Sequence, residues 1–401
     1  MNVLVLTHRL PFPPNRGDRV RAFHMIQHLR QRAQVHVVSL VHDRAEEAQV
    51  AALEQTGVRV SIARVPRLRN LISAAASLAG DRPLTHVLLD SPQMQRAIDD
   101  AIRQTPPDVV LAYCSGVARF ALEAPLDGVP LVIDFVDVDS AKWRDFSAAA
   151  SLPMRLLYRR EARLLAAFEG AAAEKARAAT VVNDREQKAL EAIAPRANIH
   201  VLPNGVDAEH LHPDGPPTFD QRVIFPAVFN YRPNSDGAIW LAREVWPLVT
   251  TLLPAARLTL AGASPTRAVK ALAERDKTIE VTGSVPDMRP YLWRSAVAVA
   301  PLFLARGVQN KVLEAAAAGL PCVVTPAVRN GLPGEVLPAC QTADNPADFA
   351  NAIIQFLLLP PLARRRVARS ALLGPLSWST RLASLESLLH SAVHHDIAAG
   401  A

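Results

Sequence analysis

Lys311 and Glu314 stand three positions apart in the stretch 301–325, PLFLARGVQNKVLEAAAAGLPCVVT. The stretch reads as a strand ending near Ala300, a short loop with Gly307, a helix over 309–318 closed by Gly319 and Pro321, and a strand over 322–325. Helical spacing puts Asn310, Lys311 and Glu314 on one face. A helix N-terminus with a lysine suits a diphosphate, and a carboxylate one turn deeper can accept two hydrogen bonds from a ribose diol. The same spacing also makes a plain Lys–Glu ion pair on a solvated helix, which is its commoner use. The apolar flank VLEAAAAGLPCVV weighs against that use, because an unused carboxylate in a buried segment is costly.

Two further groups could do chemistry. In 134–143, DFVDVDSAKW, three closely spaced acids end a predicted strand, where open α/β sheets bind ligands. A continuing strand would put Asp134, Asp137 and Asp139 on mixed faces, so Asp137 and Asp139 are the expected cleft residues. Helix capping by Asp139 or Ser140 is the competing reading. In 7–21, THRLPFPPNRGDRVR, three prolines stiffen a turn, Gly17 permits close approach and Asp18 can cap the next helix. That turn suits a phosphate or an acceptor sugar, but with a single glycine it is not a dinucleotide fingerprint.

The elements that must hold these residues follow from apolar rhythm. Short Val/Ile/Leu runs alternate with Ala/Leu/Arg-rich helical segments, which implies α/β architecture with parallel sheets. Strands are expected at 3–6, 35–41, 58–63, 109–112, 131–134 and 180–182, then at 223–228, 258–261, 279–282, 297–300 and 322–325. Helices are expected over 19–30, 154–178 and 236–249, besides 309–318. Residues 203–221, rich in Pro, Gly and Asp, read as a linker, placing domains at 1–205 and 206–401 with the last helical segment able to pack back on the first. A chain of 401 residues is long for one core, and two domains imply a cleft.

Composition excludes other classes. Half the residues are hydrophobic and a fifth charged, so the chain is not disordered. A net charge of +6 favours anionic partners without choosing among nucleotides, lipid head groups and nucleic acid. Cys114, Cys322 and Cys340 are scattered, which indicates neither a disulfide framework nor a zinc site. The start lacks a basic signal-peptide region, and stretches such as 71–79 are too short to span a membrane, so a cytoplasmic protein is expected. Basic and apolar residues interleave at 64–72 and 155–165; solvated helix faces are the ordinary reading, and peripheral contact of Arg64, Arg67 and Arg69 with anionic membrane on its inner face is the alternative.

The 301–325 stretch resembles the sugar-nucleotide motif of the retaining family 4 glycosyltransferases, Glu-x7-Glu followed by small residues, Gly and Pro. Glu314 matches the second Glu, and Arg306 stands at the first. The branch it most resembles is the sugar transferases of PEP-CTERM/exosortase exopolysaccharide systems, which carry Arg-Gly-x-Gln-Asn-Lys, matched here by 306–311. Segments 135–143, 201–207, 230–247 and 281–291 match in order, whereas 227–230 (AVFN) and 328–333 (VRNGLP) depart from the pattern.

The resemblance implies a GT-B fold, two Rossmann-like parallel-sheet domains facing across a cleft, with acceptor on the first and donor on the second. It implies a nucleotide-sugar donor, a glycan or lipid-linked glycan acceptor, no nucleic acid, and no cofactor or metal. Glu314 would hold the ribose; Gly307, Gln309, Asn310, Lys311 and the helix amides the diphosphate; Arg232 a second phosphate contact. Gly17, Asp137, Asp139 and Arg306 would lie beside the reacting groups, Arg306 against an anionic group. A sugar-nucleotide epimerase of the same fold, or a weakly active scaffold in a polysaccharide assembly complex, are the alternatives.

Overall fold

The computed structural model describes residues 1–399 except 16, 149, 214, 217–219 and 306; of residues 18 and 395–399 it describes the backbone only. The chain divides into two compact units, one of residues 1–203 with the C-terminal segment from Leu382, the other Asn204–Arg381.

The first unit carries seven parallel strands: β1 Asn2–Thr7, β2 Gln34–Val41, β3 Arg59–Arg64, β4 Val109–Tyr113, β5 Leu131–Val136, β6 Ala178–Val181 and β7 Ile199–Val201, in the order β3-β2-β1-β4-β5-β6-β7. The second has six: β8 Arg222–Pro226, β9 Arg257–Ala261, β10 Ile279–Gly283, β11 Val297–Ala300, β12 Cys322–Val324 and β13 Cys340–Thr342, in the order β10-β9-β8-β11-β12-β13. Helices cover both faces of such sheets, so central strands are uniformly apolar; β4 and β11 are buried at every residue. Each sheet grows outward from a pair distant in sequence, β1 beside β4 and β8 beside β11. Connections leave such a pair toward opposite faces, and a crevice opens at its carboxyl ends.

Several boundaries differ from those expected. Strands β7 and β13 are not foreseen, because three-residue edge strands (IHV, CQT) carry too little apolar pattern. The helix expected over 154–178 ends at Lys175. Arg177 donates its N–H to the Leu131 carbonyl at 2.8 Å, so sheet pairing overrides the helix propensity of the alanines that follow. The helix expected over 236–249 begins at Arg232 and runs as Arg232–Trp240, a π turn Leu241–Val245, and Trp246–Leu252; Pro247 cannot donate to the turn before it. Helix Gly17–Leu29 already contains Asp18 in its first turn, so Asp18 is not at the capping position.

The segment read as a linker is built into the second unit at its start. Val206 donates to the Leu376 carbonyl at 2.7 Å, and Ala208–Leu211 form a helical turn. The final helix, Ala383–Ala399, belongs to the first unit and packs near β4 and β5. Among the described residues no single helix is long and apolar enough to cross a membrane.

Candidate functional site

In the second unit the crevice lies beyond β8 and β11. The loop after β11 leads into helix Asn310–Ala317, and the turn after β8 leads into helix Arg232–Trp240. Gly237 lets the two approach: a Cβ there would sit 2.4 Å from the carbonyl oxygen of Pro301. That closeness brings Asn234 to Lys311, whose Nζ donates to Asn234 Oδ1 at 2.8 Å. The amide group of Asn234 donates in turn to the Val228 carbonyl at 2.8 Å, which fixes which end faces the lysine. The ammonium also lies 5.0 Å from the centre of the Phe225 ring. Asn310 accepts from Asn204 Nδ2 at 2.9 Å. Gln309 donates to the carbonyl of the buried Gly307 at 3.2 Å.

No side chain caps the start of helix Asn310–Ala317; the N–H of Val312 donates to the Gln309 carbonyl at 2.9 Å, and among the described residues those of Asn310 and Lys311 keep their donors for an anion. Burial pushes Lys311 down to about 7, while Glu314 acts in the opposite sense. Burial pushes Glu314 up, with Lys311 opposing. Among the described residues no ion pair joins the two and nothing donates to the Glu314 carboxylate, so the surface ion-pair reading is not found. Arg232 begins its helix, exposed, and pairs with Asp236 at 3.3 Å; it is not joined to the Lys311 cluster. Arg306 lies outside the described residues.

In the first unit, His8, Cys114 and residues 137–140 follow the carboxyl ends of β1, β4 and β5. His8 Nδ1 lies 3.5 Å from Cys114 Sγ, and its ring stacks on Tyr113. Val136 takes φ 64°, a strained value for a β-branched residue, where the register of β5 on β6 shifts. The acids beyond it part company. Asp134 is interior, paired with buried Arg21 at 2.7 and 3.1 Å and accepting from Thr180 at 3.0 Å. Asp139 accepts from Ser115 Oγ at 2.9 Å and Lys142 Nζ at 3.0 Å. Burial would raise its pKa, but Lys142 and Ser115 hold the carboxyl below the usual range. Asp137 keeps a buried Oδ1 with no donor among the described residues, and burial pushes it up to about 6 against Lys142.

Helix Asp139–Ala148 is capped from elsewhere. Glu186 accepts from the N–H of Val138 at 2.8 Å, and Glu169 from those of Asp139 and Ser140 at 2.9 and 3.1 Å. The capping expected of Asp139 or Ser140 is therefore made by buried carboxylates on two later helices, Met154–Lys175 and Asp184–Glu191. Burial, then Asp139, pushes Glu169 up to about 8. Gly17 opens helix Gly17–Leu29 with no described atom within 4 Å of where a Cβ would lie, so internal packing does not demand glycine.

Asn234, Asn204, His8, Glu169 and Glu186 were not picked out by spacing. Three of them fall in segments discussed above, His8 in 7–21, Asn204 in 201–207 and Asn234 in 230–247, but their partners lie 106, 106 and 77 positions away. Among the described residues no group of three or more His, Cys, Asp or Glu could hold a metal ion.

Residues 5–205 match the family model described as glycosyl transferase 4-like domain, and residues 220–358 match glycosyl transferases group 1. No curated protein matches the sequence. Among solved structures the chain is similar to sucrose-phosphate synthase from Thermosynechococcus elongatus, with TM-score 0.74 and 15% identity over 98% of each chain. It is similar to Anabaena HepE in complex with UDP-glucose, TM-score 0.67 and 14% identity over 98% of this chain and 100% of that one. It is also similar to WaaG, a glycosyltransferase involved in lipopolysaccharide biosynthesis, TM-score 0.63 and 15% identity over 98% of each. At such identities the likeness is one of fold: α/β, with two Rossmann-like parallel-sheet domains of the GT-B class.

Proposed function

The chain belongs to the group 1, 4-like glycosyltransferases, and from that premise we propose that it moves a sugar from a nucleoside-diphosphate donor to a glycan or lipid-linked glycan acceptor during exopolysaccharide assembly. In this reading it works in the cytoplasm at the inner face of the membrane, retains anomeric configuration and needs no metal. The observation that carries it is Lys311, held by Asn234 at 2.8 Å beside a helix start without a side-chain cap, with the carboxylate of Glu314, to which nothing donates among the described residues, one turn deeper. Cation and N–H groups suit the diphosphate, and the carboxylate suits the ribose diol.

The leaving diphosphate gathers negative charge as the glycosidic bond breaks. Lys311, Asn310, Gln309, Gly307 and the helix amides stabilise it, and Arg232 joins by giving up an exposed ion pair of little worth. The departing phosphate takes the acceptor proton on the same sugar face, so no protein nucleophile is needed. Gly17, Asp137 and Asp139 belong to the acceptor side, with Arg306 against an anionic group. HepE, bound to UDP-glucose, and WaaG, of lipopolysaccharide biosynthesis, support the class of donor and acceptor.

Calorimetry against a panel of nucleotide sugars tests this reading. Glu314→Gln weakens donor binding by about 1.5–3 kcal/mol with the fold intact. Unchanged affinity would leave Glu314 a structural residue. Donor conversion without acceptor would indicate an epimerase, and no nucleotide-sugar binding a scaffold.

A further inference from the structure

Helix Arg67–Ala76 in the first unit is turned inside out for a surface helix. Its one buried residue is Asn70, whose side-chain amide donates to the carbonyls of Leu88 at 3.1 Å and Asp90 at 2.8 Å. Leu68, Leu71 and Ile72 are 75%, 60% and 66% exposed, and with exposed Ala75 they fall at the i, i+3, i+4, i+7 spacing of a single stripe. A stripe of that pattern ordinarily faces a core; here the polar residue does.

The stripe continues onto neighbouring elements. Leu78, in the turn Ser77–Ala79, is exposed, and Arg160 of helix Met154–Lys175 donates to the carbonyls of Ser77 at 2.8 Å and Arg82 at 3.2 Å. One turn before Arg160, on the same face, stands exposed Leu156, with Leu152 and Met154 exposed just ahead of it. Arg159 and Arg163 share that face, are exposed, and with Arg82 have no ion pair among the described residues. Arg67 and Arg69 reach acids only at 3.8 and 3.9 Å.

Exposed aliphatic side chains rimmed by uncompensated arginines call for an occupant that is apolar within and anionic at its surface. A second copy of the same face would set arginine against arginine. We infer that this face docks on an anionic phospholipid bilayer, helix Arg67–Ala76 lying in the interface with Leu68, Leu71 and Ile72 inserted and Arg82, Arg159 and Arg163 against lipid phosphates. The inference deepens the reading of a lipid-linked acceptor, which docking keeps within reach. Vesicle binding is measured without nucleotide sugar, so the two can fail separately.

Co-sedimentation of the full chain with phosphatidylglycerol/phosphatidylcholine vesicles, and with phosphatidylcholine alone, tests it. Binding is expected on the anionic vesicles and falls with salt. Leu71→Glu combined with Ile72→Glu lowers partitioning at least ~tenfold, and Arg159→Gln with Arg163→Gln lowers it about fivefold per arginine on anionic vesicles only. These side chains are exposed, so both variants keep the parent melting temperature and donor affinity. Equal recovery on neutral and anionic vesicles, or unchanged partitioning of the Leu71/Ile72 variant, overturns the inference. So does a dimer in analytical ultracentrifugation that this variant dissociates while no vesicle binding is seen, since the face then belongs to a second copy.

Discussion

Lys311 Nζ donates to Asn234 Oδ1 at 2.8 Å, so the cation on one helix is aimed by the first turn of another. Asn234→Ala leaves the charge but not its aim, and donor binding should weaken by about 1–2 kcal/mol in calorimetry. Lys311→Met should cost more binding, about 2–3 kcal/mol, yet leave stability equal or higher, because a half-buried charge is replaced by an apolar chain of similar length. Lower melting temperature with unchanged donor affinity would make the pair a structural brace.

Donor binding should depend on pH through Lys311. Burial sets its pKa at about 7 without donor, and an anionic diphosphate must raise it. Below that pH the lysine is already charged and affinity is flat. Above it, binding takes up a proton, and affinity falls by up to about tenfold per pH unit until the pKa of the complex is reached. For folding, the unfolded lysine titrates near 10.5, so the unfolded chain holds more protons between about 7 and that value, and this contribution to stability rises with pH across the window. Calorimetry at alkaline pH in buffers of different ionisation enthalpy should report proton uptake, and Lys311→Met should abolish it.

Asp137 carries the opposite signature. Its pKa is raised from 3.8 to about 6 by burial, so the folded chain holds the extra proton between those values and stability falls as pH rises through them. Asp137→Asn should stabilise the protein at neutral pH by about 1–2 kcal/mol, with a smaller gain in acid, and should lower turnover if the carboxylate serves the acceptor. Denaturant melts at two pH values, paired with transfer assays, check both halves; destabilisation at neutral pH would refute the first.

Gly237→Ala places a methyl 2.4 Å from the Pro301 carbonyl oxygen. Helix Arg232–Trp240 must then draw back from the loop after β11, carrying Asn234 away from Lys311. Expected are a stability loss of about 1–3 kcal/mol and a donor affinity lowered as far as in Asn234→Ala. Parent-like affinity would show that the close approach serves packing alone.

Two things were legible in the sequence because they are matters of local geometry. Strands covered on both faces must be apolar throughout, so VVLAY and VAVA announce β4 and β11, and their alternation with helical segments announces two parallel sheets. Likewise helical spacing alone puts Asn310, Lys311 and Glu314 on one face. Edge strands such as β7 and β13 escape this reading, being too short to carry a pattern.

Only the tertiary structure decided what those residues meet. Asn234 reaches Lys311 because β8 neighbours β11, and Arg21 takes Asp134 out of the site because helix Gly17–Leu29 packs where β5 passes, 113 positions on. Glu169 and Glu186 read as ordinary helix surface until the fold turns them onto the amides of residues 138–140. The stripe Leu68–Leu71–Ile72 lies in a segment whose interleaved basic and apolar residues read as an ordinary solvated helix face. The side that turned inward carries Asn70, bonded to the Leu88 and Asp90 carbonyls, and a one-dimensional pattern holds no record of such distant acceptors for a buried polar group.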